Sequence, residues 1–311
     1  MKFKHLFGPV PSRRLGISLG VDLVPHKVCS MNCVYCEVGR TTNLTNKRAE
    51  YIPLDELMKE LKAYLKDEPV LDYITFSGAG EPLLNSGIGE IISFIKENYP
   101  QYKLALITNS TQLVDPLVRK EIQAIDLILP SLDSAIQSTF QKVNRGSADI
   151  DVNEIIAGIK AFQEESNCEM WLEIFFVPGM NDTEEELTAL KNAVAKIKPE
   201  QVQLNTLDRP GTEADLKPVT EEKMKEIAEF LKPLPVHIIA KFKTRKKISS
   251  FQKDIESTIL ETIKRRPCTA KDLAEMLNTH INEINKYIST LLEDGKILPE
   301  TQERGTFFRA L

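Results

Sequence analysis

The sequence predicts an α/β protein: a parallel sheet interleaved with helices over residues 1–240, and a small winged helix-turn-helix unit over 251–311. Three observations carry that prediction. Up to residue 240, short apolar runs alternate with stretches of helical period, the pattern of βαβ units. Composition then changes, with five basic residues among the seven of Lys241–Lys247 and Ile248-Ser-Ser250 after them, so 241–250 reads as a basic linker. The remainder reads as three helices and a two-stranded wing. A length of 311 residues suggests about two domains.

Taken in order, Ile17–Leu23 is the first strand and delivers the chain to a cysteine-bearing loop. A helix is predicted over Leu54–Leu65, where Leu54, Leu57, Leu61 and Leu65 repeat every three to four residues. The strand runs that follow are Leu71–Phe76, Lys103–Thr108, Asp126–Leu132, Met170–Val177 and Gln201–Leu207. Helical stretches separate them near 86–98, 115–123, 152–165 and 183–197. The last of these opens on Thr183-x-x-Glu186, the spacing of a capping box. Val236–Ala240 adds a final strand or closes the unit. Beyond the linker, helices are expected near 252–264, 270–277 and 281–293. Asp294-Gly295 then turns the chain into Lys296–Leu298, and Thr306–Arg309 returns as the second strand of the wing.

The loop after the first strand holds Cys29, Cys33 and Cys36 in the run CSMNCVYC, a Cys-x3-Cys-x2-Cys spacing. Thiolates are the ligands of iron–sulfur clusters, which normally take four. Three on one short loop leave one iron of a four-iron cluster open to a small molecule. A structural zinc site would need a fourth Cys or His in tetrahedral array; His26 is near, but this spacing is not a common zinc-ribbon pairing. Disulfides fit worse, because the chain has five cysteines and its opening MKFKHLFGPV lacks an apolar signal core.

The spacing, with Tyr35 before the last cysteine, resembles the signature of the radical S-adenosylmethionine (SAM) superfamily. The resemblance implies a partial (β/α)6 TIM-like barrel, one 4Fe–4S cluster on Cys29, Cys33 and Cys36, and SAM chelating the open iron. It also implies reductive cleavage of SAM to methionine and a 5′-deoxyadenosyl radical that takes hydrogen from a substrate. Chemistry in such barrels belongs at the C-terminal ends of the strands, and polar residues fall there. Ser77-Gly-Ala-Gly-Glu-Pro82 is similar to the family's Gly-Gly-Glu-Pro run, with Ala79 for its first glycine, and assigns Gly80 and Glu81 to the methionine amine. Asn109 after the next strand, and Ser131 and Asp133 within and after the one following, are candidates for the methionine carboxylate and the ribose hydroxyls, although caps and turns favour the same residue types. Glu173, mid-strand in an apolar run, faces either the lumen or solvent; from the lumen it touches SAM or substrate. Val177–Asp182 reads as a tight turn, or as backbone along the adenine, and Tyr35 as an adenine neighbour or a core residue.

The opening Phe7–Asp22 is similar to a group of iron–sulfur oxidoreductases distantly related to the wybutosine-synthesis enzymes that modify tRNA. Those enzymes carry cysteines for a second cluster; here only Cys168 and Cys268 remain, too few for a four-thiolate site. Arg13 and Arg14 before the first strand suit a surface salt bridge better than a substrate phosphate.

Composition is that of a globular protein, 42% hydrophobic and 27% charged, with no apolar run near the ~20 residues that span a bilayer, so a cytoplasmic location and no membrane partner are expected. A net charge of −5 gives no global attraction to nucleic acid. Residues 251–311 hold nine Lys/Arg against ten Asp/Glu, and the would-be recognition helix offers Asn282, Glu283, Asn285 and Lys286. Groove readers need phosphate-neutralising cations, so DNA binding is disfavoured against docking of an RNA, peptide or protein substrate, or dimerisation. The expected partners are an electron donor such as flavodoxin or ferredoxin and an unidentified substrate. A non-catalytic iron–sulfur sensor acting through the winged helix is the competing reading, and the Ser77–Pro82 run speaks against it because a sensor needs no SAM pocket.

Overall fold

The computed structural model describes residues 3–239 and 255–311, apart from Arg13, Ala214, Asn278, His280 and Glu303. The linker 241–250, Arg13 and the side chains of Asn282, Glu283 and Lys286 therefore lie outside the described residues.

The main sheet has eight strands in the order β1-β2-β5-β6-β7-β8-β9-β10. They are β1 (Leu6–Ser12), β2 (Gly16–Val21), β5 (Tyr73–Phe76), β6 (Leu104–Thr108), β7 (Leu127–Pro130), β8 (Glu169–Phe175), β9 (Gln201–Asn205) and β10 (Val236–Ile238). Between β2 and β5, two short strands β3 (Val28–Cys29) and β4 (Asn43–Leu44) pair in parallel and frame the cysteine loop. From β2 to β10 all neighbours run parallel; only β1 is antiparallel, to β2. The sheet does not close, because β1 and β10 are its edges. This is a partial barrel.

The helices α1 (Leu54–Leu65), α2 (Ile88–Asn98), α3 (Pro116–Glu121), α4 (Gln137–Val143), α5 (Val152–Glu165), α6 (Glu184–Ile197) and α7 (Glu221–Phe230) fill the crossovers. With α7 between β9 and β10, every one of the six strands β2, β5, β6, β7, β8 and β9 is followed by a helix, as six units require. The central strands are buried on both faces, β7 throughout, which is why they read as continuous apolar runs. Helix α1 buries the stripe Leu57, Leu61 and Leu65 and carries Asp55 and Glu56 in its first turn, where the helix dipole favours carboxylates. The capping box expected at α6 forms only by half. Thr183 accepts from the Glu186 amide, but the Glu186 carboxylate turns into the protein and takes the Ser134 hydroxyl at 2.7 Å. A buried hydroxyl without another side-chain acceptor competes better for it than a solvated backbone amide does.

Strands β1 and helices α4 and α7 were not expected. Strand ends also fall one or two residues inside several of the expected runs: β5 starts at Tyr73 rather than Leu71, and β8 ends at Phe175 rather than Val177.

The C-terminal residues build a second core. Helices α8 (Ile255–Arg265), α9 (Ala270–Met276) and α10 (Ile281–Glu293) bury Ile259, Ile263, Leu273, Ile284, Ile288 and Leu291 against Ile297 and Phe308. The antiparallel sheet there has three strands, β11 (Cys268–Thr269), β13 (Gly305–Ala310) and β12 (Ile297–Gln302), in the order β11-β13-β12. Strand β11 is an addition to the expected pair, and it ends on Thr269, which forms a complete capping box with Asp272. Among the described residues this unit meets the barrel past β2 and past β9. Arg265 pairs with Asp22, just past β2, and Arg304 pairs with Asp208 while Arg309 reaches the Gly211 carbonyl, both past β9. Among the described residues no helix is long and apolar enough to cross a membrane.

Candidate active site

The parallel register brings the C-terminal ends of β2, β5, β6, β7 and β8 to one edge of the sheet, and the cysteine loop lies over that edge. Backbone hydrogen bonds fix the loop: Thr45 N–H to the Cys29 carbonyl (3.0 Å), Val34 N–H to Val143 (2.9 Å) and Cys36 N–H to Cys33 (3.2 Å). The Thr212 hydroxyl adds contacts to the Cys33 and Val34 carbonyls at 2.9 and 2.6 Å.

Cys29, Cys33 and Cys36 are half-buried free thiols, and each sulfur has an N–H donor. Asn109 Nδ2 donates to Cys29 (3.5 Å), Asn144 Nδ2 to Cys33 (3.5 Å) and the Lys27 ammonium to Cys36 (3.1 Å). Donors on all three sulfurs suit thiolate ligands, whose charge such bonds stabilise and whose cluster potential they tune. Among the described residues no group of three or more His, Cys, Asp or Glu side chains is placed to hold a metal ion. A four-iron cluster makes a different demand, with one thiolate on each of three irons, and this donor set fits it. Burial raises the Cys29 thiol to about 11 and the Cys33 thiol further still. Lys27 is buried at 3% exposure; burial works against its ammonium, but its contacts with the Cys36 and Cys29 sulfurs more than offset that and leave it above the ordinary lysine value.

Glu81 is buried, and both its carboxylate oxygens are engaged. One accepts from Leu83 N–H (3.0 Å) and the Thr108 hydroxyl (2.7 Å), the other from Asn109 N–H (2.7 Å). It therefore ties the end of β5 to the end of β6, and burial pushes it up to about 7 despite those donors. Gly80 is half-buried, and a Cβ there would collide with the Val28 carbonyl, so glycine is what lets this run lie against the cysteine loop. Glu81 N–H completes that seam on the same carbonyl at 3.1 Å.

Asn109 bridges the loop and the strand end: besides Cys29, its Nδ2 donates to Ser30 Oγ at 2.8 Å. Asp133 is buried and accepts three bonds, from the Tyr35 hydroxyl, Asn144 Nδ2 (2.5 Å) and Phe175 N–H (2.8 Å). Burial lifts its pKa to about 6 against those donors. The Tyr35 ring stacks on Phe175, centroids 3.8 Å apart, so it packs as a core residue while its hydroxyl serves Asp133. Cys33, Tyr35, Asn109, Ser131, Asp133 and Asn144 all line one small cavity of about 40 Å³.

Glu173 stands slightly apart. It pairs with Arg14 and accepts from Asn205 Nδ2 at 2.8 Å, at the end of β8 and β9. Arg14 is half-buried, so the expected surface salt bridge is a largely shielded one, with Gln203 also in reach at 3.5 Å. In the Val177–Asp182 turn, Asn181 is fully buried and holds the Asp133 and Phe175 carbonyls, each at 2.8 Å, which favours the turn reading. Lys27 and Asn144 were missed from sequence. Lys27 adjoins the cysteine loop and offered a weak signal; Asn144 lies 111 residues from Cys33 and offered none.

The sequence profile of the Radical SAM superfamily matches residues 23–190, which contain all three cysteines and the Ser77–Pro82 run. A protein called GTPase Obg from Brachyspira hyodysenteriae is 34% identical over 301 residues, 96% of this chain and 44% of that protein, so this chain spans under half of that relative's length. UPF0026 protein MJ1312 of Methanocaldococcus jannaschii is 30% identical over 309 residues, 97% of this chain and 94% of that one. A radical SAM methyltransferase from Sphaerobacter thermophilus shares the fold with a TM-score of 0.56 at 17% identity, over 72% of this chain and 66% of that one. With the profile match over more than half of its residues, the chain belongs to the radical SAM superfamily and is an enzyme that uses a 4Fe–4S cluster and S-adenosylmethionine.

Proposed function

We propose that the protein holds a single 4Fe–4S cluster on Cys29, Cys33 and Cys36 and abstracts hydrogen from a substrate with a radical derived from SAM. The observation that carries this reading is the meeting of three N–H-bonded thiols with polar strand ends: Asn109 past β6 bonds Cys29, and Cys33 shares a small cavity with Asn109, Ser131 and Asp133 past β6 and β7. When bound, the reduced cluster supplies the electron that splits SAM into methionine and a 5′-deoxyadenosyl radical. The chain's own residues orient and shield. The half-buried backbone around Gly80, held from behind by Glu81, takes the methionine amine. Asn109, Ser131 and Asp133 face the remainder of SAM, and Asp133 also orders Tyr35 and Asn144. Glu173 with Arg14 borders the substrate side of the same strand ends.

We read residues 1–240 as the radical SAM barrel and 251–311 as a winged-helix domain that docks an RNA, peptide or protein substrate, joined by the basic segment 241–250. The electron comes from a donor such as flavodoxin or ferredoxin. The test is anaerobic reconstitution with iron and sulfide, reduction with dithionite, addition of SAM, and chromatography for 5′-deoxyadenosine. Deoxyadenosine is the expected product. A well-formed cluster that neither binds nor cleaves SAM would overturn the reading.

The single-cluster count has its own test. Cys168 is buried in the barrel core and Cys268 in the C-terminal core, with separate sets of apolar neighbours. Cys168→Ala and Cys268→Ala, singly and together, are expected to leave iron and sulfide per chain unchanged; loss of about four irons would reveal a second cluster.

A further inference from the structure

The C-terminal unit grips the barrel beside the run assigned above to SAM. Asp22, one residue past β2, is 6% exposed. Its Oδ1 accepts from Ala79 N–H at 2.9 Å, and its Oδ2 accepts from Arg265 Nε at 3.0 Å and pairs with Nη2 at 2.9 Å. Arg265 closes α8 and also bonds the Glu261 carbonyl at 3.1 Å, so its guanidinium is fixed from its own side. It lies over the Phe7 ring at 4.7 Å. Gly78 has φ +108, and a Cβ on it would strike Asp22 Oδ1 and press on Phe7. Phe7, Asp22, Gly78, Ala79 and Arg265 thus form one interlocked group spanning both units. At this edge a half-open groove of about 680 Å³ lies between the two units.

We propose that Arg265 is a positioning residue for SAM: through Asp22 it fixes the backbone at Gly78–Gly80, and seating of the C-terminal unit thereby sets SAM affinity. This rests on the assignment of that run to the methionine amine. Glu81 holds the run from the β6 side and Asp22 from the β2 side. Removing Arg265 leaves the Asp22 carboxylate shielded and uncompensated. It then turns toward water, and Ala79 N–H loses its anchor.

The experiment uses full-length reconstituted protein and measures iron content, SAM dissociation by equilibrium dialysis, and the KM and kcat of SAM cleavage. Arg265→Ala is expected to weaken SAM binding about tenfold, as loss of one charged hydrogen bond implies, with iron content unchanged and KM raised more than kcat is lowered. Arg265→Lys keeps the charge without the paired donors and is expected to recover part of the loss. Asp22→Ala, which removes the acceptor for Ala79 N–H, guards against misfolding of a single variant; the double variant should bind SAM no worse than the weaker single one. Unchanged SAM affinity in Arg265→Ala or Asp22→Ala with a normal iron count would overturn the proposal. Wild-type protein that forms its cluster and binds no SAM would overturn the underlying assignment and this inference together.

Discussion

Cys33→Ala is expected to yield a folded protein without a four-iron cluster and without detectable 5′-deoxyadenosine, and Cys29→Ala and Cys36→Ala to do the same. The three positions are equivalent in effect because a cluster already one protein ligand short has none in reserve. Cys168 and Cys268 cannot substitute, since each is buried in a hydrophobic core with its thiol on a nearby carbonyl. The fold should survive because the cysteine loop is held mainly by its backbone. The Cys33 carbonyl keeps Thr212 and Cys36 N–H, Val34 N–H keeps Val143, and the neighbouring sulfurs keep their donors. A half-buried thiol replaced by a methyl costs on the order of 1 kcal/mol, so thermal unfolding of the metal-free variants should track metal-free wild type. Iron and sulfide analysis beside a melting curve separates the two effects. Full iron and sulfide in any one of the three variants would remove that cysteine from the ligand set.

The parts of this molecule that were legible in sequence are those fixed by local pattern. Strands β5 to β9 are buried on both faces, so they appear as uninterrupted apolar runs, and α1 spans Leu54–Leu65 as its leucine period requires. The cysteine loop announces itself because its ligands are neighbours in the chain. Strand β1 was hidden because Gly8, Pro9 and Pro11 break its period, and its ladder shifts register between Phe7 and Val10. Helix α7 follows a loop with Pro210 and Pro218 that reads as irregular chain, and its buried residues are only Met224 and Ile227. In the site, residue type was legible and engagement was not. Glu81 read as a carboxylate for the methionine amine, whereas in the structure both its oxygens accept from three donors of the chain itself. Contacts such as Arg265 with Asp22, 243 residues apart, are products of tertiary assembly and leave no local trace.

Asp133→Ala is expected to lower stability by about 4 kcal/mol and to impair cluster assembly as well. The carboxylate accepts from the Tyr35 hydroxyl, Asn144 Nδ2 and Phe175 N–H, all in buried surroundings. Alanine removes the acceptor for all three at once. Each stranded donor costs about 1–3 kcal/mol, and a water admitted to the new space satisfies one of them. For a barrel of this size that loss lowers the melting midpoint by about 10 °C. The functional consequence follows from Asn144, whose amide also bonds Cys33 Sγ at 3.5 Å. Freed from Asp133, it no longer holds a fixed donor on that sulfur, and iron incorporation should fall while Cys33 remains present. Tyr35→Phe removes one donor and leaves Asp133 two, so it should cost only about 1 kcal/mol. Combined with Asp133→Ala it should add less than that, because the hydroxyl is already unpartnered. Denaturant unfolding of the two single variants and the double variant measures this coupling. Strict additivity would show that Tyr35 and Asp133 do not act as one unit, and an Asp133→Ala loss below about 1 kcal/mol would mean the three donors find other acceptors.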